Sequence, residues 1–162
     1  METTYSERIV EIKREKEFLE EKLKVEIVIT GKKIELNGDA FDEYEALRVM
    51  EAIDIGFSAR TAVQILEEET GFEKLNIKDF TRRKDLEAVR ARIIGSNGKT
   101  KRTLEELSGS KIMIKDNHIG IIGPAESMPA TITAITNVVK GTKQANAYYY
   151  LEKINTGKKK TE

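Results

Sequence analysis

Apolar positions along this 162-residue chain follow two rhythms, one of period two and one near 3.6. Residues 25–38, "VEIVITGKKIELNG", alternate apolar and polar on either side of a glycine and predict a hairpin. Residues 111–122, "KIMIKDNHIGII", alternate in the same way around Asp116-Asn117, a pair that tolerates turn geometry. A helical pattern follows each hairpin. Residues 41–55 supply the first; the second starts after Gly123-Pro124, buries Ile132, Ile135, Val138 and Val139, and stops at Gly141. Ahead of the second hairpin, residues 100–107 place Leu104 and Leu107 on one helical face, with Gly109 as the stop. Ahead of the first, residues 6–23 read as one charged helix. Between the two sets, Ser58 caps a helix running to about Glu69 and closed by Gly71. Residues 73–80 then alternate as a strand, and residues 82–94 predict another helix.

The two sets are copies. "LEEKLKVEIVI" (19–29) matches "LEELSGSKIMI" (104–114) at an offset of 85. Carried on without a gap, that offset superposes Gly38 on Gly123, Ala40 on Ala125 and Gly56 on Gly141. It also pairs Ile34 with Ile119, Leu36 with Ile121, Leu47 with Ile132, Met50 with Ile135 and Ile53 with Val138. Coincidence in glycines and in a helical apolar stripe together marks one supersecondary unit used twice. With its leading strand and helix, the second copy reads β-α-loop-α-β-β-α. The first copy has only a handful of residues before Ser6, so its hairpin is expected to leave an open sheet edge. Residues 1–5 as a short strand, the second copy or a second chain could cover that edge.

Composition alters this picture little, and charge distribution alters it more. Lys+Arg and Asp+Glu both number 28, a formal net charge of zero. Yet residues 82–102 hold Arg82, Arg83, Lys84, Arg90, Arg92, Lys99, Lys101 and Arg102 against only Asp85 and Glu87. Residues 39–69 reverse the balance, with acids opposed only by Arg48 and Arg60. There is no cysteine, hence neither disulfides nor thiolate metal ligands. No apolar run approaches the roughly 20 residues that span a bilayer, and the N-terminus has no signal-peptide core. The chain reads as a cytoplasmic protein.

The basic strip ends in "IIGSNGKTKRT" (93–103), which contains the Gly-Lys-Thr of a nucleotide-binding P-loop. That motif needs a glycine five residues before Gly98, and Ile93 stands there. Gly95 leaves only Ser96 and Asn97 between the glycines, too few consecutive amides to wrap a β-phosphate. The letters fit G-x-x-G followed by a helix instead. Two glycines let the backbone turn sharply and approach a sugar-phosphate chain, and the helix start beyond them offers unpaired amides.

The order β-α-GxxG-α-β-β-α, with I-I-G-x-x-G-K at the first helix junction, resembles a type I KH domain. The resemblance implies an α+β fold of two tandem type I KH-like units, each a three-stranded antiparallel sheet with helices on one face, the first degenerate. Residues 1–56 would be that degenerate unit, 57–71 a connecting helix, 72–155 the KH domain with its loop, and 156–162 a basic tail. A KH loop clamps about four single-stranded nucleotides. The implied RNA site comprises Ile94, Gly95, Ser96, Asn97, Gly98, Lys99, Thr100, Lys101 and Arg102. Arg90 and Arg92 lie ahead of it, and Ile94, Ile112, Met113 and Ile114 form an aliphatic groove for the bases. An RRM or stacking OB-fold would want exposed aromatics near its strands, and this region has none. At the first copy, the offset puts Val10 and Lys13 where the second has its loop glycines.

Gly56-Phe57-Ser58, "NIKDF" and "RARIIGSNGKTKRTLEEL" narrow the likeness to archaeal tandem KH-domain proteins of small ribosomal subunit assembly. These are relatives of the partner-of-NOB and KRR-type pre-rRNA processing factors. Membership implies binding of single-stranded RNA at the 3′ region of small-subunit rRNA. It also implies assistance to the rRNA-maturing endonuclease and association with the alpha subunit of translation initiation factor two. No Ser/His/Asp arrangement, paired-carboxylate motif or metal-ligand spacing is present, so the expectation is a binding protein without catalysis, metal or cofactor. The rival reading is a protein-interaction adaptor whose acidic half docks a partner while RNA binding is incidental. Of Tyr148, Tyr149 and Tyr150, one or two are expected to pack the last helix on the core. His118 is expected to be an exposed residue at the hairpin tip.

Overall fold

The computed structural model describes residues 1–161, with side chains through Asn155. The chain divides into two compact units, Met1–Thr70 and Gly71–Glu162.

The first unit runs β1 (Glu2–Tyr5), α1 (Ile9–Arg14), α2 (Lys16–Leu23), β2 (Glu26–Thr30), β3 (Lys33–Asn37), α3 (Ala40–Ile55) and α4 (Ala59–Ala62). A 3-10 turn, Val63–Leu66, extends α4. The sheet order is β1-β3-β2, antiparallel throughout. Register Ile27↔Leu36 and Ile29↔Ile34 turns Ile27, Ile34 and Leu36 inward, where Leu19, Val49, Met50 and Ile53 of the helices are also buried.

One open alternative is decided here and two expectations change. Residues 1–5 do supply a strand: β1 closes one edge of the hairpin, Thr3 opposite Glu35 and Thr4 opposite Ile34. It is held at both ends, by the Met1 ammonium on Glu43 (3.1 Å) and by the Ser6 amide donating to the Lys32 carbonyl (3.0 Å). Residues 6–23 are two helices and not one. The backbone kinks at Glu15 (φ −103°, ψ 17°), although Glu15 N–H still reaches the Glu11 carbonyl and Leu19 N–H the Glu15 carbonyl. The helix after Ser58 ends at Leu66, because Thr70 already opens the next strand and Gly71 lies inside it. As far as Thr70, the expected connecting segment folds with the first unit.

The second unit contains β4 (Thr70–Asn76, of which Thr70 closes the first unit), a 3-10 turn (Ile77–Asp79), α5 (Leu86–Ile94) and α6 (Lys99–Ser108). Then come β5 (Lys111–Lys115), β6 (His118–Pro124), α7 (Met128–Lys140) and α8 (Gln144–Thr161). Strand order is β4-β6-β5, with β5 and β6 antiparallel and Ile112 opposite Ile121. α5 starts later than its apolar pattern suggests, because the Asp85 carboxylate caps it through the Ala88 amide (3.1 Å). Ile77, Val89, Ile93, Leu104, Ile112, Ile119 and Ile135 form the core, with Tyr148 and Tyr150 packed against it and Tyr149 exposed. His118 is half-buried and pairs across from Lys115, so it belongs to the strand and not to the tip. The helical backbone of α8 runs into the expected basic tail as far as Thr161; the side chains there lie outside the described residues.

The offset of 85 holds in hydrogen bonds as well as letters. Glu20 Oε2 accepts from the Ile27 amide at 2.9 Å, and Glu105 Oε2 accepts from the Ile112 amide at 2.9 Å. Lys24 and Gly109 both end their helices in the left-handed region, donating to the Glu20 and Glu105 carbonyls. α3 and α7 end alike: Gly56 and Phe57 donate to Ile53 and Ala52, as Gly141 and Thr142 donate to Val138 and Asn137.

Charge does not repeat. Met1–Thr70 carries 18 Asp and Glu against 10 Lys and Arg, a net of −8; Gly71–Glu162 carries 10 against 18, a net of +8. The neutral chain is two oppositely charged halves.

Candidate nucleic-acid interface

Between α5 and α6 the backbone reverses through four residues, and three of them sit at positive φ: Gly95 at 76°, Asn97 at 54° and Gly98 at 76°. L-residues rarely adopt such angles, and Asn is among the few that tolerate them. The two glycines are needed for different reasons. A Cβ on Gly95 would stand 2.2 Å from Thr100 Oγ1 and 2.6 Å from the Thr100 amide, so the loop closes directly against a buried threonine. A Cβ on Gly98 would meet only Arg102 Nη1 at 3.7 Å, so there the backbone angle alone selects glycine. Gly95 N–H donates to Ala91 and Gly98 N–H to Gly95 (2.8 and 3.1 Å), which fixes the turn.

The turn delivers α6 with Gly98 as its N-cap, a residue with no side chain to satisfy the first amides. Those amides and the positive end of the helix dipole therefore face outward at a loop whose Ser96 and Asn97 are exposed. Lys99 and Arg102 are exposed beside them. Unpaired amides and two cations at one helix start are groups that can hydrogen-bond and pair with an anionic oxygen.

The other expected site residues divide by their contacts. Ile94 is 39% exposed at the loop's entry. Met113 and Ile114 are half-buried on β5. Ile112 is fully buried, because the strand's alternation sends it inward, so its side chain is core and not groove wall. Lys101 pairs with Glu105 (3.3 Å). Arg90 donates to Asn117 Oδ1 (2.8 Å), tying α5 to the β5–β6 turn, while the Asn117 carbonyl takes the Ile77 amide (2.8 Å). Arg92 Nη2 donates to the Thr142 carbonyl (2.8 Å). Arg90 and Arg92 thus brace the frame, and the open cations at the loop are Lys99 and Arg102. Glu105 was missed from the sequence. It holds an edge amide of β5 and Lys101 at once, and the matching Glu20 at the same offset was the available signal.

Residues 71–156 match the second KH domain of PNO1, described as a eukaryotic-type KH domain of type I. That is more than half of the chain. The chain belongs to this KH family. Among curated proteins, a KH domain-containing protein of Methanocaldococcus jannaschii is 26% identical over 116 residues, covering 71% of this chain and 51% of that protein. The pre-rRNA-processing protein pno1 of Emericella nidulans is 27% identical over 142 residues, covering 82% and 55%. The chain thus spans about half the length of these curated relatives. Among solved structures, Dim2p in the a/eIF2alpha–aDim2p–rRNA complex of Pyrococcus horikoshii superposes with a TM-score of 0.86 at 27% identity. That match covers 96% of this chain and 94% of the other. The matched residues include the Gly95–Gly98 turn. Among the described residues, no helix is long and apolar enough to cross a membrane.

Proposed function

We propose that this protein binds single-stranded RNA through the Gly95–Gly98 loop of its second unit and acts in small-subunit ribosome biogenesis, near the 3′ region of small-subunit rRNA. The observation that carries the reading is the loop itself: three residues at positive φ deliver an uncapped helix start beside Lys99 and Arg102, in a unit of net charge +8. The relatives named for pre-rRNA processing, and the Dim2p structure named as an rRNA complex, support the process and the ligand. The RNA site in this reading is Ile94 to Lys99 with Arg102, flanked by Met113 and Ile114. Thr100 closes the loop from within, and Lys101, Arg90, Arg92 and the buried Ile112 act through the frame.

The first unit, in this proposal, is a KH-like copy that has lost its clamp. Its recurrent caps at the offset of 85 support common ancestry of the two units, and its net charge of −8 disfavours RNA. Protein contacts are assigned to it, with the rRNA-maturing endonuclease and the alpha subunit of translation initiation factor two as partners. The second of these is supported by the composition of the Pyrococcus complex. The setting is the cytoplasm. No catalytic step is assigned.

The test is a salt series with a short single strand from the 3′ region of small-subunit rRNA. Phosphate contacts release counterions, so log affinity should fall with log salt at roughly 0.7 per contact. No binding at low salt would refute the RNA reading and leave the adaptor.

A further inference from the structure

The turn between α7 and α8 carries a second group of cations that the clamp does not use. Arg83 lies over Gly141, its Nη2 3.0 Å from where a Cβ would stand. Lys140 and Lys143 flank that glycine, and all three cations are exposed. Among the described residues none of the three is held by an ion pair. Between Arg82 and Arg92 the chain carries two acids, Asp85 and Glu87, against five cations, so the segment stays net positive.

The turn is fastened to the helix that bears the clamp. Arg92 Nη2 holds the Thr142 carbonyl (2.8 Å), and Gln144 Nε2 reaches back to the Arg92 carbonyl (3.5 Å). Arg92 lies in the last turn of α5, which Gly95 closes through the Ala91 carbonyl. Gly95 follows Arg92 by three positions, a rise of about 5 Å. A strand that left the clamp along α5 would meet these cations within its next few nucleotides.

The first unit shows that the fold does not require the charges. The same turn there, with the same paired bonds from Gly56 and Phe57, has Ile55 and Ser58 in place of Lys140 and Lys143. Ser58 does what that position favours, capping α4 through the Thr61 amide (3.1 Å). Lys143 does the opposite. It puts a cation immediately before α8, at the positive end of the helix dipole, where helix stability alone would select against it. Lys140, in the last turn of α7, suits its own helix; Lys143 does not, and a local rule broken in one copy and kept in the other points to binding.

We propose that Arg83, Lys140 and Lys143 form a ledge for RNA phosphates that extends the clamp's footprint beyond four nucleotides. The proposal rests on the RNA reading of the Gly95–Gly98 loop and adds a second, sequence-independent contact to it.

The experiment compares labelled strands of about five and about twelve nucleotides, both from the 3′ region of small-subunit rRNA, binding to the full chain. In the triple variant Arg83→Gln/Lys140→Gln/Lys143→Gln, affinity for the long strand should fall roughly tenfold and its salt slope by about 2, with the short strand unchanged. A melting curve checks the fold; should the triple variant melt early, Lys140→Gln and Lys143→Gln separately carry the test. An unchanged affinity and slope for the long strand overturns the ledge. So does an equal loss on both strands, because the cations would then be acting through the clamp. A parallel Ser96→Asp/Asn97→Asp variant separates the two claims: if it binds the short strand like the parent, the clamp reading has failed whatever the ledge does.

Discussion

The two helix junctions, α1–α2 in the first unit and α5–α6 in the second, solve the same problem with opposite chemistry. Both pack a helix pair on a three-stranded sheet, and both fasten the second helix to the edge strand through one glutamate, Glu20 or Glu105. In the second unit the chain reverses through Gly95–Gly98 and turns the start of α6 outward. In the first, no residue before Lys24 has positive φ, and the chain only kinks at Glu15. Its polar side chains turn inward instead. Glu11 is buried and accepts the Ala59 amide at 3.0 Å while pairing with Arg14, and Arg8 donates to the carbonyls of Ile53 and Phe57, both at 2.8 Å. A carboxylate of the protein here occupies a helix start, the kind of place where the other unit is open to an anion from outside. One kind of helix-on-sheet packing can thus accommodate charged groups that are satisfied within the unit or left open at a helix start.

The strongest way to break the comparison is to remove the feature only the second unit has. Gly95→Ala should destabilise that unit by roughly 3–5 kcal/mol, combining backbone strain with a clash against Thr100. Gly98→Ala meets open space and should lose only about 1 kcal/mol, the strain of its φ. Chemical denaturation of the two variants side by side measures this. Equal effects would show that the closeness of Thr100 to Gly95 does not constrain the loop.

Next in size is Ser96→Asp/Asn97→Asp. Carboxylates are welcome at a helix N-terminus, so the melting temperature should hold. Two negative charges facing phosphate should lower RNA affinity by about 100-fold, near 2.7 kcal/mol. Fluorescence anisotropy with a short strand tests it, and parental affinity would remove the loop from the site.

These contrasts also explain what could be read from the sequence. Glycines and apolar periodicity record backbone shape, so the offset of 85, both hairpins and the α7 stop at Gly141 could be read from the letters alone. β1 could be offered only as one of three ways to cover the edge, because four residues with one apolar end carry little pattern; its ends are held by Met1 on Glu43 and Ser6 on Lys32. The kink at Glu15 has no glycine or proline to announce it. At the site, the loop was legible and the tethers were not. Arg90, Arg92 and Lys101 look alike as letters, and only tertiary partners (Asn117, Thr142, Glu105) separate braces from open cations. Ile112 was assigned to the groove because alternation gives two faces without saying which is inward.

A smaller effect should come from the inward carboxylate. Glu11→Ala orphans the buried Ala59 amide and should destabilise the first unit by about 1–3 kcal/mol. Glu11→Gln keeps an acceptor and should lose less. The Ala59 amide, chiefly, and then Arg14 and Arg8 hold the Glu11 carboxyl below its ordinary value, against burial that raises it. Glu43 is lowered too, first by the Gly38 amide and then by the Met1 ammonium. A depressed carboxylate pKa contributes stability above the unfolded value, and that stability is lost as pH falls through the folded value. The parent should therefore lose stability on acidification in the carboxylate range, and Glu11→Gln should show a shallower loss. Denaturant midpoints at about pH 7 and about pH 3 decide it; identical acid sensitivity in parent and Glu11→Gln would mean Glu11 carries none of it.

The smallest expected change is the most direct test of whether glycines alone make a clamp. Val10→Gly/Lys13→Gly puts the spacing of Gly95 and Gly98 at the matching positions of the first unit. α1 would weaken by about 1 kcal/mol for each glycine set into a helix interior. RNA affinity should not rise. Glu11 would still be drawn to the Ala59 amide, and the unit's net charge of −8 would still repel phosphate. The measurement is made in the Ser96→Asp/Asn97→Asp background, so that the second unit does not mask a gain. Salt-sensitive RNA binding recovered by these two glycines would show that loop geometry is sufficient and that the opposite charge of the two units is incidental to their division of labour.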